Sequence, residues 1–146
     1  MRFVLDNSVA MRWLIPSLEP SDQQYAERVL KSMNEADALV PELWHLEASN
    51  VLLGAEKSGE ITVAQTEAFT SQLENLPISV DSSTWRRSFG RTMVLARSYG
   101  LSSYDAAYLE LAVRESLMLA SLDRTLLKAA EKAGIGIYLE KEQENA

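Results

Sequence analysis

Short apolar runs alternate with longer segments of helical periodicity along the whole chain. The apolar runs predict short buried strands at residues 2–5, 38–41, 78–80, 117–122 and 136–139. Apolar positions three or four residues apart predict amphipathic helices at 9–15, 21–34, 42–58, 63–73, 84–99, 104–115 and 124–133. This alternation indicates an α/β fold of three layers, in which helices flank a central parallel sheet of about five short strands.

Length and composition are those of one globular domain. The chain has 146 residues, of which 47% are hydrophobic and 24% charged, so it can build a substantial single core. We assign residues 1–139 to the domain and 140–146 to a polar C-terminal tail. No apolar run approaches the roughly 20 residues that span a bilayer, and Asp6 comes too early for a signal peptide. We therefore expect a cytoplasmic protein with no membrane partner.

The lack of thiols and the single imidazole limit the reactions that this chain can catalyse. The chain has no cysteine, which excludes disulfides, thiolate zinc sites and cysteine nucleophiles. Its single histidine, His45, excludes metal sites built from several histidines and ribonuclease chemistry that needs a histidine pair. Any hydrolysis by this chain is therefore expected to rely on carboxylates and metal ions.

Three acidic residues stand at the ends of predicted strands or the starts of predicted helices. Asp6 and Asp123 follow strands, and ligands of parallel sheets gather at the carboxyl ends of the strands. Each of the two has a simpler explanation, which is to cap the helix that begins after it. Asp105 has one too, because residues 102–105 form a Ser-x-x-Asp capping box.

Glu47 is harder to explain by local structure. On a helix its neighbours Leu43, Trp44 and Val51 are apolar, so Glu47 interrupts an apolar stripe, and Asn50 adds a second polar group to that side. A carboxylate that faces the core needs a proton, a metal or a cation, and a buried ion pair is the alternative to a functional role.

Four carboxylates brought together would repel one another unless positive charge lay between them. A hard divalent cation meets this need, and ligands that are all oxygen favour Mg²⁺ or Mn²⁺ over zinc or copper.

The charge of the chain is acidic overall but unevenly distributed. A net charge of −7 argues against non-specific binding of nucleic acid by the whole surface. Residues 82–104 nevertheless contain no acid and hold Arg86, Arg87, Arg91 and Arg97. These arginines, together with Arg124, are candidates for contact with phosphate, and a solvated helix face is the alternative.

Four segments of the chain resemble the hallmark segments of one family, in the family's order: residues 3–9, 46–52, 101–108 and 120–124. They are similar to PIN domains, and in a chain of this size most similar to the VapC-type toxins of toxin–antitoxin pairs. The resemblance covers residues 1 to about 139. It implies a PIN-like fold, an endoribonuclease that depends on Mg²⁺ or Mn²⁺, a homodimer, an RNA substrate and a cognate antitoxin.

The resemblance also implies which residues form the site. Asp6, Glu47, Asp105 and Asp123 match the family's acidic positions, and Ser8 matches its hydroxyl position. Asn7 departs mildly from the family, because many relatives have a small residue there. We expect Asp6 and Asp105 to carry most of the metal coordination, with Glu47 and Asp123 completing the site directly or through water.

Water activated by the metal would then hydrolyse the RNA and leave 5′-phosphate and 3′-hydroxyl ends. Ser8, and Asn50 beside Glu47, would orient that water or the phosphate. Other readings of the sequence remain open at this point. The same fold can act in RNA maturation or on DNA, and a non-catalytic binding module would use the acids as caps and ion pairs. A phosphoryl-acceptor domain of the receiver type fits poorly, because the last strand is followed by Glu140 and not by a lysine.

Overall fold

The computed structural model describes residues 1–140, which form alternating strands and helices. The strands are β1 (Arg2–Leu5), β2 (Asp37–Pro41), β3 (Ile78–Asp81) and β4 (Leu119–Ala120). The helices are α1 (Asn7–Ala10), α2 (Pro20–Ser32), α3 (Trp44–Lys57), α4 (Val63–Glu74), α5 (Thr84–Arg87), α6 (Arg91–Tyr99), α7 (Ser103–Glu115) and α8 (Arg124–Lys132), with a 3-10 turn at Met11–Trp13.

The four strands form one parallel sheet in the order β3-β2-β1-β4. Val4 lies opposite Leu39 of β2 and Leu119 of β4, and Leu39 lies opposite Ser79 of β3. This confirms the predicted α/β fold with a central parallel sheet. Because all strands run the same way, their carboxyl ends meet at one edge, from which the segments that hold Asp6, Glu47 and Asp123 depart.

The expected fifth strand, at 136–139, is reduced to a single bridge. In the described part of the chain Ile137 pairs with Leu119, and no regular strand follows. The left-handed backbone of Leu139 (φ 46°) is incompatible with an extended strand, so the pairing ends there. Of the predicted tail, only Glu140 lies within the described residues.

The helix predicted at 84–99 is wrong as a single element. It is divided into α5 and α6, and between them Gly90 has φ −110° and ψ −105°, which no helix contains. Glycine tolerates this backbone because it has no Cβ. The predicted helix at 9–15 is also shorter than expected, since α1 passes into the 3-10 turn after Ala10.

The core lies on both faces of the sheet. Phe3, Val4 and Leu5 of β1 are fully buried, and every residue of α7 from 106 to 112 is buried as well. Helix α7 packs against β1 and β2 and is therefore fixed in position with Asp105 in its first turn. Among residues 1–140, no helix combines the length and the apolar character needed to cross a membrane.

An ion cluster that the sequence did not indicate joins α7 to the end of β3. The guanidinium of Arg114 donates two hydrogen bonds to Asp81 (3.1 and 2.7 Å) and also binds Glu110 one turn earlier (2.9 Å). The hydrogen bonds from Arg114 hold the pKa of the Asp81 carboxyl below its usual range. Burial acts in the opposite direction but has a smaller effect. The cluster fixes the carboxyl end of β3.

Candidate active site

Asp6 is the most buried acid at the carboxyl edge of the sheet. It follows β1, is 7% exposed, and accepts hydrogen bonds at Oδ2 from Ser8 Oγ (2.7 Å) and Ser121 Oγ (2.8 Å). Burial raises the pKa of the Asp6 carboxyl, and the two hydroxyl groups oppose that shift only in part. The sequence placed this acid correctly at a strand end, but it did not reveal Ser121.

The two serines connect the end of β1 to the end of β4. Ser8 Oγ accepts the backbone N–H of Leu122 (2.9 Å), and Ser121 Oγ accepts that of Asp123 (3.0 Å). Each hydroxyl therefore binds the Asp6 carboxylate on one side and the chain beyond β4 on the other. As a result, Asp6 and Asp123 are held in the same crevice.

Glu47 is half-buried on α3 and is held by Tyr108 of α7. The Tyr108 hydroxyl donates to Glu47 Oε1 at 2.6 Å and accepts from Asn7 Nδ2 at 3.3 Å. Asn7 Nδ2 also donates to the carbonyl of Trp44 (2.9 Å), one turn before Glu47. Burial raises the pKa of Glu47, the Tyr108 hydroxyl lowers it, and the charge of Asp6 raises it further. Among residues 1–140, Glu47 is therefore in no buried ion pair, and the phenol that binds it is neutral.

Asp105 lies in the first turn of α7, where the side chain of Ser102 caps the helix by accepting the Asp105 N–H (3.1 Å). Within residues 1–140 the Asp105 carboxylate itself accepts no hydrogen bond and forms no ion pair. Burial, followed by the charges of Asp123, Asp6 and Glu47, raises the pKa of Asp105 to about 6. The charges of the three other acids therefore act on Asp105 across the fold.

Asp123 does what the simpler explanation predicted, since its Oδ1 caps α8 by accepting from the N–H groups of Thr125 (2.9 Å) and Leu126 (3.2 Å). Its charge also raises the pKa values of Asp6 and Asp105. Asp123 can therefore cap α8 and still contribute its charge to the acidic group. For Asp6, in contrast, no capping bond to α1 is formed.

The remaining candidate residues are exposed on the surface of the protein. Asn50 is exposed and lines an open groove of about 570 Å³ together with Glu47 and Tyr104. The candidate phosphate contacts are all exposed: Arg86, Arg87, Arg91, Arg97 and Arg124. His45 is exposed on α3. Sequence reasoning missed Asn7, Tyr108 and Ser121, whose roles depend on contacts across the fold that no local pattern signals.

The donor set matches a hard divalent cation in its chemistry. All four acids offer oxygen, and burial together with the charges of the other three raises the pKa of Asp105. In their present positions, the side chains of residues 1–140 include no group of three or more carboxylates or imidazoles that could by itself hold a metal ion. Mg²⁺ does not need such a cage, because it keeps several waters and takes only one or two carboxylates directly.

Solved structures of other proteins share this fold. PAE2754 from Pyrobaculum aerophilum has a TM-score of 0.63 and 21% identity, over 88% of this chain and 79% of its own. FitAcB from Neisseria gonorrhoeae has a TM-score of 0.57 and 16% identity, over 94% and 96%. A toxin–antitoxin complex from Klebsiella pneumoniae has a TM-score of 0.56 and 16% identity, over 83% and 86%.

At these identities the likeness concerns the fold, which is PIN-like. No family model matches the chain, and no curated protein matches it either.

Proposed function

We propose that this protein is a Mg²⁺- or Mn²⁺-dependent endoribonuclease and the toxin of a toxin–antitoxin pair. The proposal is carried by the placement of Asp6, Glu47, Asp105 and Asp123, from distant parts of the chain, on segments at the carboxyl edge of the sheet, where burial and the charges of the other three acids raise the pKa of Asp105. Bringing like charges together costs free energy on folding, and the binding of a cation and a phosphate is a functional reason for such a group. The similarity to a toxin–antitoxin complex supports the same conclusion.

The acids differ in how freely they can bind a metal. The Asp105 carboxylate has no hydrogen-bonding partner among the described residues, and Asp6 is held rigidly by two hydroxyl groups. We assign most of the coordination to these two and a completing role, directly or through water, to Glu47 and Asp123. A bound Mg²⁺ or Mn²⁺ supplies the chemistry that lowers the pKa of water and neutralises charge on phosphate.

Other residues orient the reacting groups. We assign the positioning of a water or of the scissile phosphate to Ser8, whose hydroxyl donates to Asp6, and to Asn50 on the α3 side. Tyr108 keeps the Glu47 carboxylate pointed in one direction. The exposed arginines Arg86, Arg87, Arg91 and Arg124 are the proposed phosphate contacts.

The proposed partners follow from the same surface. Leu46 (76% exposed) and Leu53 (61%) project from α3 into the groove that Glu47 and Tyr104 line. An exposed apolar groove beside an active site suits a protein segment that covers both. We assign it to the cognate antitoxin, and we propose that the toxin is a cytoplasmic homodimer.

The test is cleavage of end-labelled RNA by the purified, antitoxin-free protein in Mg²⁺ or Mn²⁺. An Asp6→Asn preparation made in parallel controls for contaminating nuclease. We expect cleavage that needs the metal, is lost in the variant by about 100-fold or more, and leaves 5′-phosphate and 3′-hydroxyl ends.

Three results would contradict the proposal. Equal cleavage by both preparations would identify a contaminant. A cyclic 2′,3′-phosphate product would show attack by the 2′-hydroxyl of the RNA, which needs no metal-activated water. Metal-dependent cleavage of DNA alone would retain the nuclease and replace the substrate.

A further inference from the structure

Two large aromatic side chains are exposed on the turn that follows β3. Trp85 is 65% exposed and Phe89 is 94% exposed. The turn that carries them is well ordered by hydrogen bonds, because Ser88 Oγ donates to the Thr84 carbonyl (3.0 Å) and the Ser88 N–H to the Trp85 carbonyl (3.3 Å). Trp85 lies in α5 and Phe89 in the turn directly after it, so the two exposed rings are four residues apart in the chain. Two large aromatic rings that remain exposed to water so close together in the chain indicate a surface that contacts a partner.

The same turn is positively charged. The Arg86 guanidinium lies over the Trp85 ring, 5.3 Å from its centroid, and Arg87 and Arg91 are exposed nearby in the sequence. Of the two adjacent acids, Asp81 is paired with Arg114, whereas Glu42 accepts the backbone N–H of Trp85 (3.3 Å) and keeps its charge, so the turn carries three arginines against one uncompensated carboxylate. On a chain with a net charge of −7, this turn is therefore a local site of attraction for a polyanion.

The turn lies at the same edge of the sheet as the four acids. It leaves the carboxyl end of β3, whereas Asp6 leaves that of β1, two strands away in the order β3-β2-β1-β4. Neighbouring strands are about 4.8 Å apart, so the two strand ends are separated by about 10 Å, the length of two or three nucleotides. Thr84 Oγ1 accepts the Glu42 N–H (3.1 Å) and so ties the turn to the connection that leads into α3 and Glu47.

We propose that Trp85 and Phe89, with Arg86, Arg87 and Arg91, form a stacking platform that holds unpaired bases of single-stranded RNA beside the acidic cluster. Flat aromatic faces stack on any base, and the arginines follow the phosphates of the same strand. A duplex keeps its base faces internal and cannot use the platform. The inference rests on the proposed function, which supplies the reason for a nucleic acid at this edge.

A second copy of this chain is the competing occupant. Exposed aromatic residues are common in protein interfaces. In a two-fold dimer built on this patch, however, both copies contribute the same three arginines, so six like charges would share one interface. The charge of the platform therefore favours a polyanion over another copy.

The binding experiment uses full-length protein that carries Asp6→Asn, so that RNA is bound without being cut. Fluorescence anisotropy follows a labelled single-stranded ten-nucleotide RNA and, separately, a blunt RNA duplex. We expect Trp85→Leu and Phe89→Leu each to weaken single-strand binding about 5- to 100-fold, whereas Trp85→Phe keeps a ring and stays within about 3-fold. Val63→Ala, which shortens an apolar side chain of similar exposure (59%) on α4, serves as the matched control and should change nothing.

Salt dependence gives a second measurement of the platform. Arg87→Ala should flatten the slope of log affinity against log salt by about 0.7, the loss of one phosphate contact on a single strand. Thermal melting of every variant confirms that the fold is intact.

Equal affinity for the duplex, or unchanged single-strand binding in Trp85→Leu, would overturn the platform. So would conversion of a dimer to a monomer by Trp85→Leu with RNA affinity unchanged, as measured by light scattering. These results are separate from the nuclease assay, because cleavage by the parent chain can persist when the platform is refuted. Conversely, ring-dependent binding without cleavage would refute the nuclease alone.

Discussion

At the scale of single residues, the acids show how one side chain combines a local and a global role. Asp123 caps α8 through its Oδ1 and also contributes to the charge that Asp6 and Asp105 feel. The Glu47 carboxylate is held by the Tyr108 hydroxyl, whereas the Asp105 carboxylate has no hydrogen-bonding partner in residues 1–140. The acids are therefore held in place to different degrees, and Asp105 is the one whose charge is least compensated.

Neutralising Asp105 should stabilise the metal-free protein. The native pKa of about 6 lies above the ordinary value of 3.8, so the stability that the protonated carboxyl contributes is complete below about 3.8 and is lost as the pH rises through 6. At pH 7.5 we expect Asp105→Asn to raise the Tm by about 2–4 °C, a modest amount because the side chain is half-exposed. The measurement is thermal unfolding in a chelator at pH 4 and pH 7.5.

The pH dependence is what distinguishes this effect from a general gain. The difference between Asp105→Asn and the parent should largely disappear at pH 4, where the side chain is neutral in both native proteins. Glu131→Gln removes an exposed carboxylate of α8 and should leave the Tm unchanged at both pH values. An equal gain at pH 4 would show that charge repulsion at Asp105 is not the cause.

At the scale of secondary-structure elements, α7 connects the acidic crevice to β3, an outer strand of the sheet. Its first turn presents Asp105, its middle presents Tyr108 to Glu47, and its last turn presents Arg114 to Asp81. The Arg114 cluster is largely shielded from water, with side-chain exposures of 17% for Arg114, 11% for Asp81 and 4% for Glu110. A guanidinium fork between two such carboxylates fixes β3 against α7.

Removing this cation should be costly. Arg114→Met leaves two shielded carboxylates without their partner, and we expect the free energy of unfolding to fall by about 2–4 kcal/mol at pH 7. Because the pKa of Asp81 is lowered, its contribution is present above about pH 4 and is lost as the pH falls through the lowered value. The gap between parent and variant should therefore narrow toward pH 3.

Urea unfolding at pH 7 and at pH 3 measures the difference. Lys128→Met removes an exposed cation from α8 and serves as the control, which should change the free energy of unfolding by less than about 0.5 kcal/mol. If Arg114→Met and Lys128→Met had equal effects, the cluster would contribute no more than a surface charge.

At the scale of the whole molecule, the segment after α8 closes the domain although it forms no strand. Tyr138 is 3% exposed, and its ring stacks on Phe3 with centroids 3.9 Å apart. Its hydroxyl donates to Ser32 Oγ (2.8 Å), and its carbonyl accepts the Tyr25 hydroxyl (2.6 Å). One residue near the end of the described chain thus connects β1 and α2.

Truncating this residue should unfold the domain far more easily. We expect Tyr138→Ala to lower the free energy of unfolding by about 3–5 kcal/mol, because a stacked ring is replaced by a cavity. Tyr138→Phe keeps the ring and loses one hydrogen bond, so it should cost only about 0.5–1.5 kcal/mol. Urea denaturation of the three proteins compares them, and equal costs for the two variants would show that ring packing contributes nothing.

Local pattern alone determined most of the elements. Four of the five predicted strands form, because a buried strand needs only a short apolar run, but the one predicted at 117–122 is reduced to Leu119–Ala120. Asp6 directly follows its strand as predicted, whereas Asp123 lies three residues beyond β4. Cysteine and histidine counts also limited the chemistry without any structure. The division of the predicted helix 84–99 was missed because apolar spacing continues across Gly90, whereas the backbone there is not helical.

Tertiary structure decided everything that depends on distance between remote residues. The packing of the helices on the sheet decides which acids share one crevice. It also decides three specific pairs: Tyr108 with Glu47, Ser121 with Asp6, and Arg114 with Asp81. Hydrophobic periodicity tells which face of a helix is buried but not which residue it meets there, because the hydrophobic effect has no direction. Specific partners are set by packing and hydrogen-bond geometry, which exist only in the folded chain.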